Sequence, residues 1–344
     1  MIQILVFLLG CTLVRGELYK FSDAYIDQIN READTWTAGR NFPANLSEEY
    51  LRQFLIADAK YFDQSDRPLP GDRKTYDPEY SATVPDRFDA REQWPNCGTI
   101  GHVPDTGACA APHIFAAVGA FSDRRCIKSN GQQNRLLSTE YVASCCKICR
   151  YDDNKSCSHG SVFRTWNFLH KRGSVTGGDY GDRTGCQPST ISPCSHHGSA
   201  PTLPSCENQK VPKLKCHTRC TNPTYGRGFF QDKHRTTLTY WVDDNEDAIK
   251  KEILAHGPTT ATFALYDDFY HYKSGVYKHT SSAKLENYLH SGKLIGWGTE
   301  NGTPYWLVIN TWGPHWGDRG TVKILRGKYE CAFEYLIAAG KPKN

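Results

Sequence analysis

A mixed α+β fold stapled by disulfides follows from three features of the sequence. Apolar residues recur at helical spacing between His113 and Ile127. Apolar and polar residues alternate over much of 238–340. The 344-residue chain carries 14 cysteines, a density that points to an oxidising compartment. That length would ordinarily correspond to two domains of average size. Hydrophobic residues at 39% and charged residues at 23% exclude a disordered or fibrous chain. A formal charge of +4 is too modest for a nucleic-acid partner.

The first element is an apolar run from Ile2 to Val14, too short to span a bilayer. Val14 and Gly16 suit the positions three and one before a cut, so residues 1–16 read as a cleaved signal peptide. The alternative is a buried N-terminal helix. No other apolar run is long enough to cross a membrane. Cleavage removes Cys11 and leaves thirteen cysteines, an odd number that needs an explanation.

Residues 17–83 contain no cysteine and carry 13 acidic against 8 basic side chains. From Val84 on there are 32 basic and 24 acidic residues. Opposite charge on the two parts suggests a removable pro-segment that docks on its own chain; a plain acidic linker is the alternative. Short capped helices are expected at Ser22–Arg31 and Ser47–Ala57. The turn-rich stretch Arg67–Asp72 should be extended and exposed. In the next helix, over 113–127, the apolar positions are Ile114, Phe115, Val118, Phe121 and Ile127, so it should be buried. Residues 145–226 are rich in Cys, Pro, Gly, Ser and His and read as loop. The second half should be β-rich, as in Tyr305–Ile309 and Thr321–Leu325. No internal repeat is visible.

Several blocks carry a family pattern. Phe88–Pro95 resembles the mature start of cathepsin B, and Thr35–Phe42 resembles the signature of its short propeptide. Gln231–His234, Lys273–Tyr277, Gly296–Gly298, Glu300–Val308 and Ile324–Gly327 match as well, in order along the chain. The chain therefore resembles the cathepsin B-like cysteine peptidases of the papain family. The resemblance implies a papain-like fold, a helical half and a β-barrel half with the active-site cleft between them. It also implies a propeptide over 17–83, a peptidase domain over 84–344, and an occluding loop over about 186–220.

The chemistry of that family needs a thiolate, an imidazole that shuttles its proton, and an amide that orients the imidazole. A side-chain amide and a backbone N–H stabilise the oxyanion. The cysteine signature C-G-[SA]-C-[WY] is the local hallmark. The corresponding stretch is Asp105-Thr106-Gly107-Ala108-Cys109-Ala110-Ala111-Pro112-His113. The nucleophile position is Pro112, the oxyanion position is Thr106, and the aromatic after the nucleophile is His113. The rest matches: His290 stands eight residues before Gly298 as the catalytic histidine, Asn310 as its orienting amide, and Trp312 and Trp316 as the indoles beside them. Proline has no nucleophile and no N–H, but the first turn of a helix tolerates it. Losing a nucleophile costs on the order of 10⁶ in kcat, roughly 8 kcal/mol of barrier.

The resemblance also implies the disulfides Cys97–Cys126, Cys109–Cys157, Cys145–Cys216, Cys146–Cys149, Cys186–Cys220 and Cys194–Cys206, with Cys331 free. His196 and His197 match the pair that holds a substrate carboxylate, and Asp105 matches the residue that latches the loop through His196. The second loop latch is lost, because its carboxylate position is His315. Cleft positions have drifted: a Cys-Asn-Gly-Gly block reads Cys157-Ser158-His159-Gly160, the glycines before His290 read Tyr288-Leu289, and the base of the main pocket is Leu336. Larger side chains there should narrow the cleft and favour apolar substrates. Asn45, Asn154 and Asn301 lie in glycosylation sequons. No cofactor and no metal is expected. Expected partners are peptides, cystatin-like inhibitors or the chain's own propeptide, with no nucleic acid, for a monomer that is extracellular or lysosomal. Three functional readings stand: a proteolytically inactive homologue that binds peptides, inhibitors or a partner, a working cysteine endopeptidase and dipeptidyl carboxypeptidase, or a tolerated duplicate with no selected role.

Overall fold

A computed structural model describes residues 19–44, 46, 50, 57–58, 68, 73–74, 83–152, 155–195, 203–206, 209–210 and 213–343. The apolar run of 2–14, Cys11, and most of the expected segments 47–57 and 67–72 lie outside the described residues.

The chain enters through α1 (Asp23–Glu32), started by the Ser22 side chain, which accepts from the Tyr25 N–H. Its buried residues Tyr25, Ile26 and Ile29 share one face. Three short strands follow: β1 (Trp36–Ala38), β2 (Ala57–Asp58) and β3 (Arg73–Lys74). After these come β4 (Phe88–Asp89) and α2 (Ala90–Gln93). The helical part is α3 (Pro112–Lys128), α4 (Thr139–Cys145) and α5 (Val162–Lys171). The strand-rich part holds β5 (Thr236–Val242), α6 (Glu246–His256), β6 (Thr259–Tyr266), β7 (Tyr272–Tyr277), β8 (Leu285–Glu300), β9 (Thr303–Ile309), β10 (Thr321–Leu325) and β11 (Ile337–Pro342).

The strands form one sheet in the order β1-β7-β10-β9-β8-β6-β11-β5-β3, with β2 and β4 also paired to the long β8. The pairing of β10 with β7 is parallel, and that of β9 with β10 antiparallel. Strands from the N-terminal segment thus stand at both ends of this order. One core gathers the sheet, α1, α6 and Phe21, Trp36, Phe42 and Leu46 of the N-terminal segment. A second core gathers α3, α4 and α5.

Helix α3 is buried almost all round. An apolar stripe is therefore not its only buried face, and its polar residues Ser122, Asp123 and Arg124 are inside too. The expected loop of 145–226 needs correction, because α5 lies within it. Ser161 caps α5 by accepting from the Arg164 N–H, and Val162, Trp166 and Leu169 are buried at helical spacing. The Cys, Gly and Pro flanking this helix dominate the composition and mask its periodicity. Around it the chain is stapled by six disulfides: Cys97–Cys126, Cys109–Cys157, Cys145–Cys216, Cys146–Cys149, Cys186–Cys220 and Cys194–Cys206.

The N-terminal segment is held by Trp36. Its ring is 6% exposed and stacks on Tyr272 with centroids 6.1 Å apart. Its Nε1 donates to the Lys278 carbonyl at 2.8 Å. Asn41 Nδ2 donates to the Tyr270 and Tyr272 carbonyls at 2.9 and 2.8 Å. Truncating a buried tryptophan costs about 3–5 kcal/mol. Trp36→Ala should therefore release the segment, so that limited proteolysis cuts within 19–83 at least tenfold faster while the disulfide-stapled remainder resists. Equal cleavage rates in the variant and the parent would show that the docking does not rest on this residue.

Candidate functional site

The two halves meet where the loop before α3 faces the end of β9. Thr106 is 2% exposed, and its N–H donates to the Thr311 carbonyl at 3.1 Å. Asp105 Oδ1 accepts from the Gly107 N–H at 2.7 Å, and Asp105 forms an isolated bridge with Trp312. Gly107 has φ +52, and a Cβ there would meet the Ser192 carbonyl at 2.6 Å, so this turn needs glycine. Pro112 is the first residue of α3, with Ala111 as its cap. The N–H that proline lacks has no helical partner at that position.

Opposite, His290 sits on β8 and Asn310 just after β9. The His290 Nε2–H donates to Asn310 Oδ1 at 2.6 Å, which leaves Nδ1 as the lone-pair nitrogen. Asn310 Oδ1 also accepts from the Thr311 N–H at 2.8 Å. Trp312 covers the pair, its ring centroid 4.6 Å from that of His290, and Trp316 packs on Trp312 at 5.2 Å. His290 Nδ1 is buried without a hydrogen-bond partner. Burial lowers the His290 pKa to about 4, with the Asn310 hydrogen bond opposing. The imidazole is therefore neutral at neutral pH.

Two further imidazoles stand close by. His113, in the first turn of α3, is 1% exposed. The Cys149 carbonyl lies near its ring, and neither ring nitrogen has a well-formed hydrogen bond. Burial, and then the nearby Arg150 cation, push His113 down to about 3. Both ring nitrogens of His159 are also buried and unpartnered. Its pKa lies well below the usual range, from burial and from its neighbours His113 and His290. Gly160, next to it, admits no side chain: a Cβ would meet the Cys149 carbonyl at 1.7 Å. Leu336 is 6% exposed and packs in the helical core.

His196, His197, Asn45 and Asn154 lie outside the described residues, as does the side chain of Tyr288. Asn301 is exposed in the turn between β8 and β9 at φ 49. His315 is exposed as well.

The N-terminal segment reaches this site. Phe42 is fully buried and meets Trp312 edge-to-face at 5.9 Å. Strand β2 pairs antiparallel with β8, Ala57 opposite Leu289 and Asp58 opposite Tyr288, just before His290. Sequence reasoning missed the histidine cluster. It read His113 as a lost aromatic and His159 as a lost glycine, and nothing in the spacing joins either to His290. The available signal was two histidines in two cleft-forming motifs.

A family model described as papain family cysteine protease matches residues 84–340, and one described as peptidase family C1 propeptide matches 21–55. The chain belongs to the papain family of cysteine proteases. It is similar to the cathepsin B-like cysteine proteinase 4 of Caenorhabditis elegans, 38% identical over 94% of this chain and 93% of that protein. The cathepsin B-like cysteine proteinase 5 of the same organism is 40% identical over 93% of this chain and 90% of the relative. Among solved structures, procathepsin B S9 from Trypanosoma congolense superposes with a TM-score of 0.76 at 31% identity, covering 94% of this chain and 99% of that one. This papain-family chain is thus cathepsin B-like, with a propeptide region, a papain-like fold and multiple disulfides.

The buried imidazoles make stability pH-dependent. Their folded values of about 4 and about 3, for His290 and His113, lie below the roughly 6.5 of an unfolded histidine. The unfolded chain then binds more protons below that value, so stability is present above it and lost as pH falls through the window. For His290 the loss between pH 7 and pH 4 is of order 3 kcal/mol. Urea midpoints should fall over this range, and His159→Gly, which relieves the crowding of imidazoles, should flatten the slope. Parallel slopes in the parent and the variant would show that His159 takes no part.

Proposed function

We propose that this cathepsin B-like chain keeps the peptide-binding scaffold of its family and does not cleave peptides through a cysteine nucleophile. The observation that carries this reading is Pro112 at the first position of α3, where the family's thiolate belongs. Three groups are missing there together: the thiol, the N–H of the same residue, and the amide that the Thr106 side chain does not carry. Losing a nucleophile costs on the order of 10⁶ in kcat, and one oxyanion donor a further 10²–10³. Among the described residues no other thiol substitutes, since Cys109 is bonded to Cys157 and Cys331 is buried in a different region.

Peptide binding is supported by β2, which adds as a strand along β8 beside His290. An extended peptide or a cystatin-like inhibitor would compete for that edge once the segment of 17–83 is removed. Removal at the 83/84 boundary then needs another protease, because the chain has no nucleophile with which to process itself. With Leu336 at the pocket base, apolar side chains are preferred. The protein acts in the secretory pathway, outside the cell or in lysosomes. No helix among the described residues is long and apolar enough to cross a membrane.

A weakly active peptidase is the second reading, favoured by the intact His290–Asn310 pair. Processed protein incubated with fluorogenic peptides and a thiol-directed epoxide should show neither turnover nor label. Turnover or label that His290→Ala abolishes would overturn the proposal. Pro112→Cys combined with Thr106→Gln should restore measurable hydrolysis. Its failure would mean that the cleft as well as the chemistry has changed, as the imidazoles of His113 and His159 suggest.

A further inference from the structure

We propose that His279, Glu330 and Cys331 form a zinc-binding site, separate from the cleft. Their ligand atoms all lie within 4.8 Å of one another. His279 Nδ1 and Glu330 Oε1 are 2.7 Å apart, and Cys331 Sγ lies 3.3 Å from the same oxygen. Imidazole, carboxylate and thiolate are the three donor types that zinc takes in tetrahedral sites. Bonds of about 2.0 Å to N and O and about 2.3 Å to S set such ligands about 3.3–3.6 Å apart. The Glu330 carboxylate is thus within an ångström of that spacing from each of the other two ligands, and a water completes the fourth position.

The surroundings favour a cation. Glu330 is 7% exposed, Cys331 6%, Glu334 2% and Asp268 fully buried. Among the described residues no lysine or arginine pairs with any of these carboxylates, and the His279 ring makes a hydrogen bond with Glu330. Glu334 Oε2 is buried without a hydrogen-bond partner. A bound zinc replaces the thiol proton, which leaves to solvent, and adds the missing positive charge.

The site is also held in shape. The His279 ring stacks on Tyr266 at 4.1 Å and an interplanar angle of 7°. The His279 side chain is 38% exposed, which gives the ion a way in. Tyr329, Cys331 and Ala332 have φ of 52, 54 and 54, a left-handed backbone that non-glycine residues rarely adopt. That backbone accompanies the contact between the neighbouring side chains of Glu330 and Cys331. Zinc would clamp this turn to the end of β7, just ahead of Leu336. It would also give the thirteenth cysteine a role.

The test is titration of the metal-free full chain with cobalt(II), a spectroscopic stand-in for zinc. One equivalent should bind, with the near-ultraviolet thiolate-to-cobalt charge-transfer band and visible bands of a tetrahedral site, and zinc should displace it. Cys331→Ser should abolish the charge-transfer band, and His279→Gln should weaken binding at least tenfold. His159→Gly should leave the band unchanged, which separates this site from the cleft imidazoles. Absence of the band in the parent, or its persistence in Cys331→Ser, would overturn the proposal. Should Cys331→Ser fail to fold, His279→Gln decides: undiminished cobalt binding there overturns it equally.

Discussion

Arg124 is the polar residue on which this architecture turns. Fully buried in the middle of α3, it donates to Glu252 Oε1 at 2.9 Å and to the carbonyls of Pro258, Gly257 and Gly340 at 2.6, 3.0 and 3.2 Å. A buried guanidinium left unpaired would be costly, so α3, α6, β11 and the turn before β6 must arrive together. Tyr240 donates to Glu252 at 2.6 Å, and Lys74 of the N-terminal segment pairs with its other oxygen at 3.0 Å. Burial alone would raise the Glu252 pKa, but the Arg124 and Lys74 cations bring it down to about 2. The preceding residue, Asp123, pairs with Lys293 of β8 at 2.8 Å, again in the interior. The C-terminal half of α3 is therefore anchored by contacts that do not depend on whatever stands at its first residue.

This separation of fold from chemistry explains how Pro112 is accommodated. The atoms that position the start of α3 are the backbone of 105–107, the 109–157 disulfide and the buried ion pairs farther along. A side chain at 112 contributes to none of them. On the other face, β8 and β9 present His290 to Asn310 as a consequence of their register. The aromatic cover of Trp312, Trp316, Tyr270 and Phe42 would hold that imidazole whether or not a thiolate faced it. Without an anion to favour the imidazolium, burial dominates and the ring stays neutral. His113 and His159 follow the same rule: each is admitted to the interior because it sheds its charge.

What was legible in the sequence was local or motif-bound. Ser22 announced the start of α1 by its capping chemistry, and the spacing of Ile114, Phe115, Val118 and Phe121 announced α3. Helix α5 was lost because a window judged on its Cys, Gly and Pro content hides ten residues of clean periodicity. The two side-chain clusters were beyond reach for a different reason. His279 and Glu330 are 51 positions apart, and His113, His159 and His290 lie in three separate elements. Only the strand order and the left-handed turn at 329–332 bring such residues to one place, and neither is encoded in local spacing.

The N-terminal segment is a structural partner of the sheet. Phe21, Phe42 and Leu46 are buried with the sheet core, and β1 adds to β7 through Trp36 and Thr37. Asn41 satisfies two carbonyls of the 270–272 stretch, and Lys74 neutralises half of a buried carboxylate. Removing the segment would expose these apolar faces to water and leave Glu252 with a smaller share of compensating charge. The contacts of the segment favour the docked form. While it is docked, the segment is a component of the fold, with β2 as the strand paired to β8 beside His290.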